Sequence, residues 1–380
     1  MREYTISTIS QVYNKKSGAK TESDLGLKEI NSEKTYYYKQ NKDLAFDLYL
    51  ECITEEFSGN YDGSGHKLNL TATKTRDLIV SANQTTYSKS VSLFDHVSED
   101  GVIKNLVICM DLDYKSQETN TIISGLALVN YGRIENIISE NLNLEFIDPL
   151  TSNKIFAIST IVGINNGYIA NSKNTAEINI LNSKTGQSDA TFSLAGIALI
   201  NNKSLFNCSN QANISIEISS SSNLKVRTAG VVLHNEGSLT LCYNIADITV
   251  VNDRGVSEIG GLVGVSKNGS ISYSFNTGYI KGDSFSGGIV YDLNSTAISN
   301  VLAYGKVNGG INNVFFAEAT LKSVTNCYTY ANYVDQFGMG NIIGKEENFE
   351  ILYSSEQYKI KVDYISDSKT YIVSVESIYM

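Results

Sequence analysis

Proline is nearly absent from this chain. Pro149 stands alone among 380 residues, where average usage would give about 19. Tryptophan is missing altogether. No run of 18 apolar residues occurs, so no membrane-spanning helix is expected. A basic stripe is missing too. Forty acidic residues outweigh 30 basic ones for a net charge of −10, and pairs such as Lys15-Lys16 are isolated. A nucleic-acid partner is therefore not expected, because phosphate neutralisation needs clustered Lys and Arg. The five cysteines, Cys52, Cys109, Cys208, Cys242 and Cys327, form no CxxC pair. That argues against a zinc knuckle or a thioredoxin-type site. Their odd number and wide spacing argue against a disulfide scaffold. The start, Met1-Arg2-Glu3-Tyr4-Thr5, lacks the apolar stretch of a signal peptide, which leaves a cytosolic chain, another export route or a fragment open.

What is present is 24 Tyr, 13 Phe, 29 Gly and 42% hydrophobic residues. That is enough for a core, and it excludes a disordered or collagen-like chain. One pattern recurs between residues 92 and 334. A small residue and Gly precede three or four apolar residues, then Asn and Gly, an alternating segment, and an apolar strand. Clear copies begin Gly125-Leu-Ala-Leu-Val-Asn-Tyr-Gly, Gly196-Ile-Ala-Leu-Ile-Asn-Asn-Lys, Gly230-Val-Val-Leu-His-Asn-Glu-Gly and Gly261-Leu-Val-Gly-Val-Ser-Lys-Asn-Gly. Repeats at intervals of about 26 to 36 residues, with length variation confined to polar segments, indicate a solenoid. Within each copy the period is two, as in Ile214-Ser-Ile-Glu-Ile218 and Ile245-Ala-Asp-Ile-Thr-Val250. Short alternating strands separated by bends cannot make helices, but they can coil and stack.

Alignment of the copies gives columns. One reads Leu106, Ile137, Ser172, Cys208, Cys242, Ser274, Val301, Cys327 and is assigned to the interior. Cysteines in it are small buried residues rather than nucleophiles. Cys208 and Cys242 fall in adjacent coils, where a disulfide would need its own geometry. Asn174, Asn210, Asn244 and Asn276 stand two positions on, and Ala176, Ala212, Ala246, Gly278, Gly305 and Ala331 four positions on. Asn105, Asn136, Asn171, Asn207, Asn300 and Asn326 stand one position before. Stacked Asn predicts an amide ladder, and Asn also tolerates left-handed backbone at a bend.

Gly260-Gly-Leu-Val-Gly264, followed by Asn268-Gly-Ser-Ile-Ser-Tyr-Ser-Phe-Asn-Thr-Gly-Tyr-Ile280, resembles the GLUG repeat of bacterial surface proteins. Phe57-Ser-Gly-Asn-Tyr-Asp-Gly-Ser-Gly-His-Lys-Leu68, Ser92-Leu-Phe-Asp-His-Val97 and Asp43-Leu-Ala-Phe-Asp-Leu48 are similar to the segments that precede those repeats. The resemblance implies a parallel β-helix of the kind found in adhesins and in accessory regions of large secreted proteins. Its motif implies no chemistry.

The expected architecture is all-β: a right-handed parallel β-helix, or β-solenoid, of about ten coils over residues 36–340. Residues 1–35 are expected to cap one end, with a short helix over Thr21–Ile30. A β element over 341–380 is expected to contain a hairpin of Tyr358–Tyr364 and Tyr371–Val375. That hairpin caps the last coil or pairs with a neighbouring domain or an identical chain.

Candidate chemistry is sparse. His66, His96 and His234 lie in different coils without a paired carboxylate, and surface or strand-end positions are expected. Asp62 is read as a turn residue. Asp111 and Asp113, with Glu118 nearby, are the best acidic cluster. They alternate with Met110, Leu112 and Tyr114 and are read as a solvated strand face rather than a cation or catalytic site. No cofactor or metal is expected, nor an enzyme. The candidate binding residues are Tyr243, Phe275, Leu302 and Tyr328, with Tyr304 and Tyr330 two positions after Leu302 and Tyr328. Ile245 and Thr277 occupy the matching positions in the two earlier coils. Alternation turns them outward if the cysteine column points in, making an aromatic face suited to a glycan or protein partner. A local bend that reverses the parity, or loops 218–228 and 251–258 lying over the face, would remove it. The function expected is a non-enzymatic, adhesin-like module, extracellular or at the cell surface, that binds such a partner or presents neighbouring domains. The alternatives are a structural component of a phage tail or secretion assembly, and a carbohydrate-active β-helix enzyme.

Overall fold

The computed structural model describes residues 3–6, 37–114, 119–146, 153–182, 189–218, 223–309, 311–313, 316–325, 327–329, 341–342, 349–352, 358–365 and 370–377. They form strands and turns, with no helix among them. The chain is a parallel β-solenoid. One long sheet holds a ladder of nine strands paired in sequence order: Ile53–Phe57, Phe94–Val97, Ala127–Asn130, Val162–Asn165, Ala198–Asn201, Val232–Asn235, Val263–Lys267, Val290–Ser299 and Phe316–Thr325. A nine-stranded sheet forms another side of the coil, and a five-stranded sheet the remaining one.

The complete three-sided coil repeats for about five turns, fewer than the ten coils expected from counting repeats. The reason lies in strand length. Val102–Tyr114 and Arg133–Phe146 run as single strands of 13 and 14 residues. Later coils turn a corner at that point and enter the five-stranded sheet, which comprises Ile178–Asn182, Ile214–Ile218, Ile248–Asn252, Ile280–Lys281 and Val307–Asn308.

The corner positions explain the asparagines. Asn105, Asn136, Asn171, Asn207 and Asn300 all have φ between 49° and 58°. Leu241 and Tyr273 hold the same corner at 57° and 48°, where a non-Gly, non-Asn residue is uncommon. Immediately after each bend comes the interior column, from Leu106 to Cys327, and every member of it is buried. The amide ladder two positions on is continuous. Asn174 Nδ2 donates to Asn210 Oδ1, Asn210 to Asn244, and Asn244 to Asn276, each at 2.7 Å. At the corner out of the nine-stranded sheet the coils approach closely. A Cβ on Gly230 would lie 2.3 Å from the Gly261 carbonyl oxygen, so no other residue fits.

At the N-terminal end Glu3–Ile6 pairs in parallel with Tyr37–Gln40 and adds a rung to the long sheet. The helix expected over 21–30 lies outside the described residues, as do Pro149, Asn326 and Ala331. Near the C-terminus Tyr358–Ile365 and Thr370–Ser377 form the expected antiparallel pair, and Phe349–Leu352 joins it as a third strand.

Candidate functional site

The expected parity holds in the coils that carry the aromatic column. Cys242 and Asn244 are buried, while Ile245 is 44% exposed and Tyr243 partly so. The accessible patch is smaller than the sequence suggests. Phe275 and Leu302 are fully buried, so neither offers surface to a partner. Register explains why. Tyr243, Phe275 and Leu302 follow one another on successive rungs. The Tyr243 and Phe275 rings stack at 4.8 Å and 7°, so the middle ring is covered by its neighbours. Tyr243 Oη also accepts from Gln211 Nε2 at 3.0 Å. What stays accessible is Tyr243, with Ile245, Thr277 and Tyr304 at matching positions in successive coils. Tyr328 pairs by backbone with Leu302, and Tyr330 lies outside the described residues.

The other sequence candidates are scattered, as their spacing implied. Asp62 Oδ1 caps its own turn, accepting from Ser64 N at 2.8 Å and from Asn105 Nδ2 at 3.0 Å. His66, expected without a carboxylate partner, lies 3.4 Å from Asp43. The Lys67 backbone N–H and His66 hold the Asp43 carboxyl below its usual range. Asp111 is exposed between buried Met110 and Leu112 and accepts from Asn143 Nδ2 at 2.8 Å. The register sets Asp113 opposite Glu145, an acid that repeat alignment did not place there. Glu118 lies outside the described residues. Among the described residues no three His, Cys, Asp or Glu side chains are grouped to hold a metal. The five thiols are free, and burial pushes Cys208 well above the ordinary thiol range.

A different surface is built more deliberately. Besides the interior core there is a second apolar cluster, outside the coil, where the nine-stranded sheet meets the long sheet. Ile122, Ala157, Ala195 and Ala229 supply one wall; Leu128, Val129, Ile164, Leu199, Ile200 and Leu233 supply the other. The antiparallel hairpin Arg76–Ala82 and Thr85–Val91 packs into this angle through Leu78, Val80, Ala82 and Tyr87. Its turn residues Asn83 and Gln84 are both left-handed, with φ of 46° and 63°, the geometry of a tight two-residue hairpin. A buried ion pair pins its base: Arg76 Nη1 donates to Asp95 Oδ2 at 2.8 Å, and Ser92 Oγ donates to Asp95 Oδ1 at 3.2 Å. Between the hairpin and the solenoid lies an open cleft of about 290 Å³.

Comparison with protein-family models and with curated proteins finds no match.

Further along the same angle the walls become polar. Arg227 Nε donates to Glu258 Oε2 at 2.7 Å, and Lys225 pairs with the other carboxylate oxygen. His234 stands in register between Ile200 and Val265. Burial and then Arg227 push its imidazole down to about 4, against the opposing pull of Glu258, so it is neutral at pH 7. Burial and Glu258 together push the Tyr291 hydroxyl up. Sequence reasoning missed both the hairpin and this cluster. The usable signals were the alternation Lys225-Val-Arg227 and a histidine that follows Val129, Ile164 and Ile200 on successive rungs.

Proposed function

We propose that this chain is a non-enzymatic, adhesin-like β-solenoid module of a surface-exposed or secreted protein. It binds a glycan or protein partner on its outer surface. The observation that carries this reading is the hairpin strapped into the outer angle. It builds a concave, solvent-open surface on a stack whose interior asparagines are spent on holding coil to coil. A rigid scaffold carrying a shaped outer cleft is a recognition arrangement. The GLUG-like residues Gly260–Gly264 and Asn268–Ile280 agree with it. Fold alone does not fix function, so the reading rests on the site.

The test has two readouts. The fluorescently labelled chain is expected to bind intact cells or extracellular matrix saturably. It is also expected to release no new reducing ends from a panel of plant and microbial polysaccharides. Reducing ends that grow with protein concentration would overturn the non-enzymatic reading. Absence of saturable binding would remove the adhesin role.

A further inference from the structure

We propose that the cleft between the hairpin and the long sheet binds an uncharged oligosaccharide. This inference rests on the recognition reading above and names the site and the ligand class.

The cleft is lined from the hairpin side by Ile79, Val80, Ser81, Ala82 and Asn83, and from the solenoid side by His96, Val129, Tyr131, Ile164, Asn166 and Asn202. No carboxylate, ammonium or guanidinium is among them. In a chain of net charge −10 an anionic ligand would also meet long-range repulsion. The polar groups are amides, hydroxyls and the His96 imidazole, which match sugar hydroxyls as both donors and acceptors. Two of the amides are pre-set. Asn202 Nδ2 donates to Asn166 Oδ1 at 2.8 Å across adjacent coils. That bond fixes both planes and leaves the Asn166 amide nitrogen and the Asn202 amide oxygen for a ligand. A donor and an acceptor one rung apart, about 4.8 Å, suit neighbouring hydroxyls on one sugar ring.

The cleft also offers apolar surface where a sugar needs it. Only seven large hydrophobic side chains are exposed among the described residues, and two of them, Tyr131 at 41% and Ile79 at 76%, stand on its two sides. An aromatic ring facing a polar pocket takes the C–H face of a sugar while amides take its hydroxyls. The volume of about 290 Å³ is that of a small-ligand site, enough for one or two sugar units. Val80 and Ala82, packed into the apolar cluster, hold the hairpin wall in place, so the site is formed before the ligand arrives.

The test is an array of immobilised oligosaccharides, neutral on one arm and uronic or sulfated on the other, probed with the labelled full chain. Binding to neutral glycans is expected, with at least a tenfold loss in Tyr131→Ala and in the double variant Asn166→Ala/Asn202→Ala. Leu181→Ala, 65% exposed on the five-stranded sheet, is expected to bind unchanged. Circular dichroism and melting temperature confirm that the variants fold. Retained binding in Tyr131→Ala and in the amide double variant overturns this site while leaving the adhesin reading standing. Binding confined to charged glycans overturns the ligand class. No glycan binding beside saturable cell binding overturns the inference and leaves a protein partner.

Discussion

Asparagine does three separate jobs in this chain, and position decides which. At the bends its backbone takes the left-handed conformation. On the outer surface Asn166 and Asn202 bond each other in the open. Inside, it carries the stack. Asn210 accepts from Asn174 and donates to Asn244 and to the Ala212 carbonyl at 3.0 Å, with no exposure. Asn210→Ala would leave a donor above and an acceptor below with one partner fewer in a dry interior. A buried polar group stripped of its bond costs about 1–3 kcal/mol. Asn202→Ala, which is solvated, should stay within about 0.5 kcal/mol of wild type. Denaturant midpoints at constant slope measure both, and equal losses would sink the ladder argument. The interior ladder was legible because the four asparagines fall at one repeat offset. A second interior ladder, Asn130 to Asn165 to Asn201 to Asn235, each at 2.8 Å and ending on Ser266, was visible only as an Asn-Gly corner. Its members also accept from the Gly132 and Gly167 N–H groups, so the turn signal hid the stacking role.

Among elements, the hairpin Arg76–Val91 breaks the rule of the fold. It is antiparallel where the rest of the described solenoid is parallel, and it packs outside the coil rather than within it. Its attachment depends on Arg76 against Asp95, whose side chain is 3% exposed. Arg76→Met would leave that carboxylate buried without its cation, a loss of about 3–5 kcal/mol. It should also loosen the hairpin and bare Ile122, Leu128 and Val129, raising the fluorescence of an apolar dye. Lys89→Met is the control. Its partner Asp77 is 89% exposed, so the change should cost less than about 1 kcal/mol. Indistinguishable stability of the two variants would remove Arg76 from this role. The parallel strands were readable because their period of two and their glycine corners recur. The hairpin occurs once, so no column reports it, and its residues Leu78, Val80 and Ala82 read as one more alternating strand. The same limit applied to Phe275 and Leu302. Parity along a strand gives the side they leave from, but not that neighbours one rung away close over them.

At the scale of the whole molecule the near-absence of proline acquires a mechanical sense. An inner strand of the solenoid donates alternate N–H groups to the coils on both sides and accepts from both, as Leu126 N to Ile161 O and Tyr131 N to Val97 O show, and proline would delete a donor from the ladder. No disulfide ties the coils, since all five cysteines are free, so cohesion comes from rung-to-rung pairing and the packed interior. Stability in such a stack is a sum of nearest-neighbour terms, and a strand paired on both sides opens at greater cost than one paired on a single side. Glu3–Ile6 pairs only with Tyr37–Gln40 among the described strands, whereas Thr191–Ala195 is held by Ile155–Ser159 on one side and Lys225–Ala229 on the other. Native-state hydrogen exchange should therefore be slowest at the centre, in Thr191–Gly260, and faster by at least tenfold in Glu3–Ile6 and Phe316–Thr325. Protection that is uniform from end to end would mean that the solenoid opens only as one unit. In that case nearest-neighbour pairing would not govern its stability. A central maximum would place the hairpin cleft, anchored on Phe94–Val97, Ala127–Asn130 and Val162–Asn165, on the flank of the most protected coils. A preformed recognition surface gains rigidity from such a position.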